Sequence, residues 1–462
     1  MTRKKVLRVI AGIVLVLLLV AVYIGSKAFP IATGHGAKIL CSAVFVSGRA
    51  EKDVISEDLN FWPVNLVSFS VDYKDSSVTC SLYGFARKKA IFRNGLGATL
   101  VNGTDEKELR AMHYSLPVPA PAGADTLPWP MGDKLSNVFP SGIDSLQLNT
   151  AINGLFGQHD SEQVNITRAL VVLYDGQIVA ERYGNGITRA TRLTGWSMTK
   201  SIMSAVAGIL VKQNKLNIDI PAPVPEWKDA KDPRHGITII NLLQQTSGLD
   251  FEEVYDRPAD ANRMLANEKD AAAFTASKSL KNPPGQDFRY SSGNTNILSR
   301  IFRQTLGDDA YYTFPYQQLF HKLGMYNTVL EPDASGTFVG SSFCYATARD
   351  WARFGLLYAQ NGLWNNEQII TADWIRQSIT PSSAAEKGEY GFQWWLNAGE
   401  KNNPSNRLFP QLPVDMYWAD GFEGQNVFII PSKKLVVVRL GLTRGHSWGE
   451  EKLLKALVKA VR

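Results

Sequence analysis

The sequence places a serine and a lysine three residues apart at the start of an apolar segment. Residues 195–210 read GWSMTKSIMSAVAGIL and contain Ser197 and Lys200. In a helix these two side chains lie one turn apart on the same face, so the amine can reach the hydroxyl. Burial lowers the pKa of a lysine, and a neutral amine can accept the hydroxyl proton. The pattern therefore predicts an activated nucleophile, with a capping serine beside a solvated lysine as the simpler alternative.

Two further segments carry residues that suit the same chemistry. FRYSSGNTNIL (residues 288–298) places Tyr290 among small polar residues, and beside a lysine its phenol can relay a proton. DGFEGQNVFII (residues 420–430) has two glycines before an apolar strand, where the amide of Gln425 can point at a developing oxyanion. A core tyrosine and an ordinary turn are the alternative interpretations.

The elements around these segments predict one antiparallel sheet with helices inserted into it. TRALVVLYDGQIVAERYG (residues 167–184) has two apolar runs joined by Asp-Gly, a strong hairpin signal. NVFIIPSKKLVVVRLGL (residues 426–442) repeats the pattern near the end of the chain, and an amphipathic helix follows it. The intervening residues have mainly helical periodicity. A sheet assembled from both ends of a domain, with helices between them, is an α+β arrangement.

In this order the motifs resemble those of the serine β-lactamase and penicillin-binding protein superfamily, in its class C-like branch. SMTK resembles the SxxK motif, YSSGN resembles the YxN motif, and FEGQ falls where the KTG or HxG strand motif is expected. LLQQTSGL and TARDWARFG are similar to two further segments of the family. The resemblance covers residues 144–462. It implies an antiparallel sheet flanked by N- and C-terminal helices, with a large and mainly helical insert.

The departures from the family pattern bear on the substrate. β-Lactamases and peptidases of this family have a lysine or histidine, which holds a substrate carboxylate, at the position assigned here to Phe422. The asparagine of YxN is replaced by Ser292, and Asn294 is the expected substitute. These changes resemble the nylon-oligomer (aminohexanoate-dimer) hydrolases and related esterases, which act on linear amides or esters. In those enzymes a tyrosine after the TSG segment contacts the substrate, which points to Tyr255.

The resemblance implies acyl transfer through a covalent intermediate on Ser197. Lys200, coupled to Tyr290, takes the hydroxyl proton, and the amides of Ser197 and Gln425 hold the oxyanion. Tyr290 then protonates the leaving group, and water releases the acyl group. Either Lys200 or Tyr290 can be the base at this point, because coupled groups share their titration. No cofactor and no metal ion is expected.

The N-terminus predicts contact with a membrane. Residues 1–8 are basic, and residues 9–26 form an uncharged run, VIAGIVLVLLLVAVYIGS, of nearly the ~20 residues that cross a hydrocarbon core. The positive-inside rule leaves residues 1–8 in the cytoplasm and exports the rest. A cleaved signal peptide has a shorter apolar core and a clearer cleavage site than SKA at residues 26–28. An anchor with an extracytoplasmic catalytic domain is therefore favoured over a secreted protein.

Two more segments separate the apolar run from the residues that resemble the family. Residues 39–112 contain alternating runs of β-forming residues, which predict a β-rich extension. Residues 115–130 are rich in proline and predict a linker. Cys41 and Cys80 both fall within the extension. In an exported protein they can form a disulfide, and two buried free thiols are the alternative.

Composition and the remaining motifs limit the other function classes. The 462 residues carry a net charge of only +6 with no stripe dense in lysine and arginine, so nucleic acid is not an expected partner. A Ser-His-Asp hydrolase based on His446 lacks a GxSxG elbow, and the six histidines show no HExxH spacing. Two alternatives to turnover of a small linear amide or ester stay open. They are a ligand-binding or sensor module of the same fold, and a true β-lactamase or D,D-peptidase.

Overall fold

The structure of the protein, a computed structural model, describes residues 2–112, 121–156, 164–445 and 447–462. It consists of an N-terminal extension and a larger part in which strands and helices are mixed. Strands from both ends of the larger part share one antiparallel sheet, and helices occupy the sequence between them. The α+β class predicted from the sequence is confirmed.

The N-terminal extension consists of one long helix, two short helices and a four-stranded sheet. Its elements in chain order are α1 (Arg3–Phe45), α2 (Glu51–Ser56), β1 (Ser68–Asp72), β2 (Ser77–Leu82), β3 (Phe85–Arg93), β4 (Gly97–Leu100) and α3 (Glu106–Ala111). The four strands pair antiparallel in sequence order. The β-rich segment predicted over residues 39–112 therefore needs one correction: its first residues belong to α1, because they pack as a helix against the sheet.

Helix α1 changes its surroundings along its length. Its first part carries the apolar run of residues 9–26, in which most of the side chains that the structure describes are exposed. The run is long and apolar enough to cross a membrane. From Ala32 onward most of the helix is buried. Pro30 lies within the helix without ending it, although an internal proline removes a backbone hydrogen bond. The apolar run and the buried part are therefore one continuous helix.

The cysteines of the extension do not form the disulfide that an exported protein allows. Cys41, Cys80 and Cys344 are all buried free thiols. The alternative of unpaired buried cysteines thus describes this structure, and these side chains contribute as small apolar groups.

The larger part contains the remaining helices and strands. Its helices are α4 (Ser145–Asn153), α5 (Thr199–Lys212), α6 (Ile239–Leu243), α7 (Asp260–Asn267), α8 (Ala271–Ala276), α9 (Ser292–Leu306), α10 (Asp308–Tyr311), α11 (Ala348–Ala359), α12 (Ala372–Ser378) and α13 (Glu450–Ala460). Its strands are β5 (Asn165–Tyr174), β6 (Gln177–Tyr183), β7 (Leu193–Thr194), β8 (Val329–Leu330), β9 (Cys344–Ala346), β10 (Leu363–Trp364), β11 (Glu367–Gln368), β12 (Trp395–Leu396), β13 (Tyr417–Gly421), β14 (Gln425–Ile430) and β15 (Leu435–Thr443). The main sheet has the order β12-β13-β14-β15-β5-β6, and β7-β9-β8 and β10-β11 form two small sheets.

The main sheet separates two hydrophobic cores. Side chains alternate between its faces, so on β15 Val436 and Val438 pack into the core that contains α5 and α11. Leu435 and Val437 pack on the opposite face with α4 and α13, the N- and C-terminal helices of this part. The sequence of β15 therefore buries both faces of the sheet, and the face toward α5 is the one that supports the candidate nucleophile.

A buried ion pair joins the extension to the larger part. Glu331 is fully buried and pairs with Lys38 of α1. It also accepts hydrogen bonds from the Ser42 hydroxyl at 3.0 Å and from the Ala98 amide at 2.6 Å. Burial raises the pKa of Glu331, and the positive charge of Lys38 opposes that shift. The extension is thus fixed to the larger part through a desolvated charge that needs its partner.

Replacing Lys38 with Met is expected to destabilise the fold strongly, because Glu331 would remain buried without a counter-charge. Removing one partner of a buried ion pair costs about 3–5 kcal/mol. Thermal unfolding of the purified full chain measures the change. Lys89→Met, which breaks partly exposed pairs with Asp75 and Glu106, is the control and should cost no more than about 1 kcal/mol. A Lys38 variant as stable as the Lys89 variant would contradict the expectation.

Candidate active site

Ser197 lies in the turn that connects β7 to α5. Glycine is required two residues earlier, because a Cβ on Gly195 would lie 2.2 Å from the Trp351 ring. Trp196 adopts a left-handed backbone with φ of +46°, a conformation that costs free energy in a non-glycine residue. The turn holds Ser197 at the N-terminal end of the central helix, where backbone amides lack helical acceptors.

Lys200 is buried directly beside the nucleophile candidate. Its side chain is only 1% exposed, and its Nζ donates to the Ser197 Oγ at 2.9 Å. Two further acceptors fix the amine, the Ser292 Oγ at 3.0 Å and the Ser341 carbonyl oxygen at 3.1 Å. The i, i+3 spacing read from the sequence thus brings the amine and the hydroxyl together as a helix turn does.

Burial sets the protonation state of this lysine. Desolvation lowers the pKa of Lys200 from 10.5 to about 8, while the negative charges of Glu253 and Asp420 work in the opposite direction. An amine with a pKa near 8 is neutral in a useful fraction of molecules at mildly alkaline pH. Lys200 can therefore accept a proton from Ser197.

Tyr290 lies against the same amine. The Nζ of Lys200 is 4.8 Å from the centre of the Tyr290 ring. Burial raises the pKa of Tyr290 well above 10, and Tyr390 and Glu253 raise it further, while the Ser197 side chain lowers it. The phenol is accordingly protonated at neutral pH and can give a proton to a group beside Ser197.

The sequence gives Ser292 only as the residue that replaces the YxN asparagine, and it does not single out Glu253 or Asp420, whose charges act on Lys200. Ser292 donates to Glu253 Oε1 at 2.5 Å through its hydroxyl and to Glu253 Oε2 at 2.8 Å through its amide. Tyr255 donates to the same carboxylate at 2.7 Å and lies 3.4 Å from the Ser292 hydroxyl. Ser292 stands two residues after Tyr290, the spacing of the YxN motif, and that spacing was the available signal. Glu253 had none, because only the fold brings its loop to this position.

Ser292, and not Asn294, occupies the position of the YxN asparagine beside Lys200. Asn294 is buried, accepts from the Ser247 hydroxyl at 2.8 Å and donates to Gln245 at 2.8 Å. It therefore fixes the TSG segment to α9 and does not contact Lys200. The expectation that Asn294 replaces the YxN asparagine is wrong, because successive residues of α9 point in different directions around the helix.

Strand β13 lies beside the turn that carries Ser197, which is called the nucleophile turn below. A Cβ on Gly421 would lie 2.2 Å from the Gly195 carbonyl oxygen, so glycine permits this close approach. Asp420 precedes it, and burial raises the pKa of this carboxyl to about 7. The strand motif next to the nucleophile is therefore Ala419 to Gly421. Assigning the cation position to Phe422 is wrong, because FEG forms the turn after the strand, and Ala419 at that position is also uncharged.

Gln425 does not have the place that the sequence suggested. It begins β14 and pairs with Gly421 across the hairpin. Its side-chain amide donates to the Gly441 carbonyl at 2.7 Å and accepts from the Gly441 amide at 2.9 Å. The structure describes no contact between Gln425 and Ser197, so the expectation of an oxyanion donor at Gln425 is corrected: this residue joins β14 to β15. His446, the base of the alternative triad, lies outside the described residues.

Three aromatic side chains connect the two walls of the site. Phe422, at the β13–β14 turn, packs against Trp196 with ring centres 5.7 Å apart and against Tyr255 at 5.2 Å. Phe422 is 40% exposed and Tyr255 is 37% exposed. Tyr255, predicted as a substrate contact, therefore lies at the site with its hydroxyl near Ser292 and its ring partly open to solvent. The aromatic contacts give the entrance an apolar lining.

Comparison with known proteins agrees with this arrangement. The family model described as beta-lactamase matches residues 152–459, which include the nucleophile turn, Tyr290 and β13. The chain belongs to the beta-lactamase family. The resemblance read from the sequence motifs is confirmed, and the larger part of the chain is a beta-lactamase domain.

Relatives of this beta-lactamase domain include named hydrolases. The 6-aminohexanoate-dimer hydrolase of Paenarthrobacter ureafaciens is 26% identical over 300 residues, which are 59% of this chain and 72% of the relative. EstCE1, a hydrolase with promiscuous acyltransferase activity, has a TM-score of 0.54 at 17% identity, and the match covers 68% of this chain and 99% of EstCE1. A family VIII carboxylesterase has a TM-score of 0.54 at 15% identity, covering 71% of this chain and 100% of its own. At these identities the two structures establish a shared fold.

Proposed function

We propose that the beta-lactamase domain is a serine hydrolase that cleaves the amide or ester bond of a small linear substrate through an acyl-enzyme on Ser197. The observation that carries the proposal is the buried Lys200 amine, 2.9 Å from the Ser197 hydroxyl, with a pKa lowered to about 8. A buried amine bonded to a serine hydroxyl is the arrangement that nucleophilic catalysis needs.

The directions of the two pKa shifts favour Lys200 as the base over Tyr290. The pKa of Lys200 is lowered to about 8, whereas burial and neighbouring groups raise the pKa of Tyr290 well above 10. At neutral pH the amine releases its proton far more readily than the phenol does. Lys200 therefore takes the proton of Ser197 while the Ser197 oxygen attacks the substrate carbonyl carbon. Tyr290, still protonated, gives its proton to the leaving nitrogen or oxygen and regains one from the Lys200 ammonium.

Two backbone amides are suited to hold the oxyanion that forms in this step. The amide of Ser197 lies in the first turn of the helical segment, where no helical carbonyl competes for it. Phe422 follows Gly421, whose Cα lies against the Gly195 carbonyl. We assign the second donor to the Phe422 amide in place of Gln425, since it is the next amide along the strand beside the nucleophile. Water then attacks the acyl-enzyme and gives a proton to the neutral Lys200 amine. Lys200 passes this proton to the Ser197 oxygen as the acyl group leaves.

The charges at the site favour a substrate without a carboxylate near the reacting bond. Ala419 and Phe422 offer no cation on the strand side, and Glu253 and Asp420 place acidic groups near Lys200. The negative charge of these groups would repel a substrate carboxylate. The partly exposed rings of Phe422 and Tyr255 suit an apolar chain. Linear amides and esters fit these features better than β-lactams or peptidoglycan peptides do.

We also infer that α1 stays in the protein as a membrane anchor. The apolar residues and the buried half of α1 form one helix without interruption. The basic residues before the apolar run favour the cytoplasm for the N-terminus, and the beta-lactamase domain then lies on the extracytoplasmic side. Separating the two parts would cut within this helix, a few residues before the section that packs against the extension sheet.

A labelling and turnover experiment tests the proposed function. A fluorophosphonate probe is expected to label the full chain, and Ser197→Ala should remove the labelling. The same preparations are then given a short-chain nitrophenyl ester, a linear aminohexanoate dimer, a D-amino acid amide and a chromogenic cephalosporin. We expect repeated turnover of the ester or of a linear amide and little hydrolysis of the cephalosporin.

The alternatives give different results in this experiment. A ligand sensor of the same fold would be acylated once and release no further product. A β-lactamase would hydrolyse the cephalosporin rapidly, and this would contradict the argument from the uncharged strand. Folded wild-type protein that is neither labelled nor active would exclude the hydrolase.

A further inference from the structure

The strand β3 runs along helix α1 toward the membrane end of that helix. Phe92 stacks on Phe45 with ring centres 5.8 Å apart, and the Ala86 carbonyl accepts from the Thr33 hydroxyl at 2.6 Å. Twelve helical residues from Phe45 to Thr33 span about 18 Å, and six strand residues from Phe92 to Ala86 span about 20 Å. The two lengths agree, so β3 and α1 lie side by side. The β2–β3 turn then lies beyond Thr33, toward the apolar run.

The side chains at this turn are large, apolar and unburied. Tyr83 and Phe85 are each 74% exposed, and Arg87, two residues farther, is exposed as well. The apolar run ends at residue 26, so Thr33 lies about 10 Å beyond it along the helix. One headgroup layer of a bilayer is roughly 5–8 Å thick. The turn therefore lies at the depth of the headgroups when the apolar run occupies the hydrocarbon core.

We propose that the β2–β3 turn, through Tyr83 and Phe85, is a second membrane contact and inserts into the headgroup layer of the bilayer that α1 enters. Tyrosine and other amphipathic rings concentrate at this layer, and the Arg87 guanidinium suits anionic headgroups. The proposal rests on retention of α1 as an anchor. A bilayer is chosen over a protein partner because the turn and the spanning segment belong to one continuous helix–strand unit.

The packing of α1 on Trp196 relates the active site to the membrane. His35 of α1 stacks on Trp196 with ring centres 6.1 Å apart and planes 6° apart, and Trp196 directly precedes Ser197. His35 is only two residues, about 3 Å, farther along α1 than Thr33. The nucleophile therefore lies beside the part of α1 that is nearest the apolar run. A substrate that keeps one end in the bilayer can extend toward this site.

A depth measurement on the full chain tests the proposal without relying on activity. Phe85→Cys is labelled with a thiol-reactive, environment-sensitive fluorophore, and the native cysteines do not compete because all three are buried. The labelled chain is placed in nanodiscs of phosphatidylcholine and phosphatidylglycerol with plain or brominated acyl chains. Leu146→Cys on α4, which is 77% exposed and belongs to the opposite face of the main sheet, is the control. Tyr83→Cys provides a second probe if the Phe85 variant does not fold.

The label at position 85 is expected to lose most of its emission in brominated discs, while the label at position 146 keeps its emission. Equal emission at position 85 in plain and brominated discs would overturn the proposal. Equal quenching at both positions would do the same, because it indicates no defined membrane face. Disulfide-linked dimers through position 85 would assign the turn to a second copy of the chain. A full chain that does not enter the discs would remove the anchor on which the proposal rests.

Discussion

Replacing Ser197 with Ala, or Lys200 with Met, is expected to lower kcat by about 10⁴-fold or more in either variant. The hydroxyl forms the covalent bond, and the amine 2.9 Å away removes its proton, so neither group works without the other. The double variant should lose no more than the worse single variant. Steady-state hydrolysis of a nitrophenyl ester measures all three.

Lys212→Met is the matched control for the lysine variant. Lys212 belongs to the same helix α5 but is exposed at its other end, so its loss should leave kcat within the error of the measurement. Two single losses that multiply in the double variant would show that Ser197 and Lys200 act independently. That outcome would contradict the proposed base.

The pH dependence of the wild-type enzyme follows from the same lysine. Only the neutral amine accepts a proton, so kcat/KM should rise as pH increases toward about 8 and level off above it. In Lys200→Met the rise of kcat/KM with pH should be absent.

The Tm of Lys200→Met should not fall below the wild-type Tm at pH 7. The pKa of Lys200 is about 8 in the folded wild type and 10.5 in the unfolded chain, so protonated Lys200 opposes folding below about pH 8. The stability of the wild type recovers as the pH rises from 8 to 10.5.

The sequence predicts the Ser197 and Lys200 pair well because their contact is local. A spacing of three residues becomes one helical turn whatever the rest of the fold does. The contact with Tyr290 came from the family resemblance, and the structure brings the phenol to the same amine. Glu253 could not be predicted, because it reaches Ser292 only through the packing of a loop against α9.

The strand motif shows how a short shift in register misleads sequence analysis. Gly421 and Gly424 are separated by two residues, and either can end a three-residue motif. The sequence motif falls on FEGQ, but the first three of these residues form the hairpin turn, and Gly421 is the glycine that meets Gly195. Only the close approach of the two backbones distinguishes the alternatives. Either register leaves the strand side without a cation for a substrate carboxylate, because Ala419 and Phe422 are both uncharged.

The sequence predicts a helix over the apolar run of residues 9–26, but it does not predict that α1 continues to Phe45. Pro30 and the Gly-His-Gly sequence after it favour an end to the helix. The helix continues to Phe45 because its residues from Ala32 onward are packed against β3 and α7. Gly34 permits that contact, since a Cβ there would lie 2.5 Å from the Ala266 carbonyl oxygen. Tertiary packing thus outweighs local helix propensity in this segment.

Replacing Tyr290 with Phe is expected to lower kcat by about 10²- to 10⁴-fold for an amide substrate, because the neutral phenol is the assigned proton donor to the leaving group. The ring packing against Tyr390 and Trp395 is kept, so Tm should stay close to the wild-type value. A nitrophenyl ester needs no protonation of its leaving group, and the loss with that substrate should be much smaller. Equal losses with both substrates would assign Tyr290 to positioning or to the base, since those roles act before the leaving group departs. The comparison therefore separates the donor role of the phenol from its contact with Lys200.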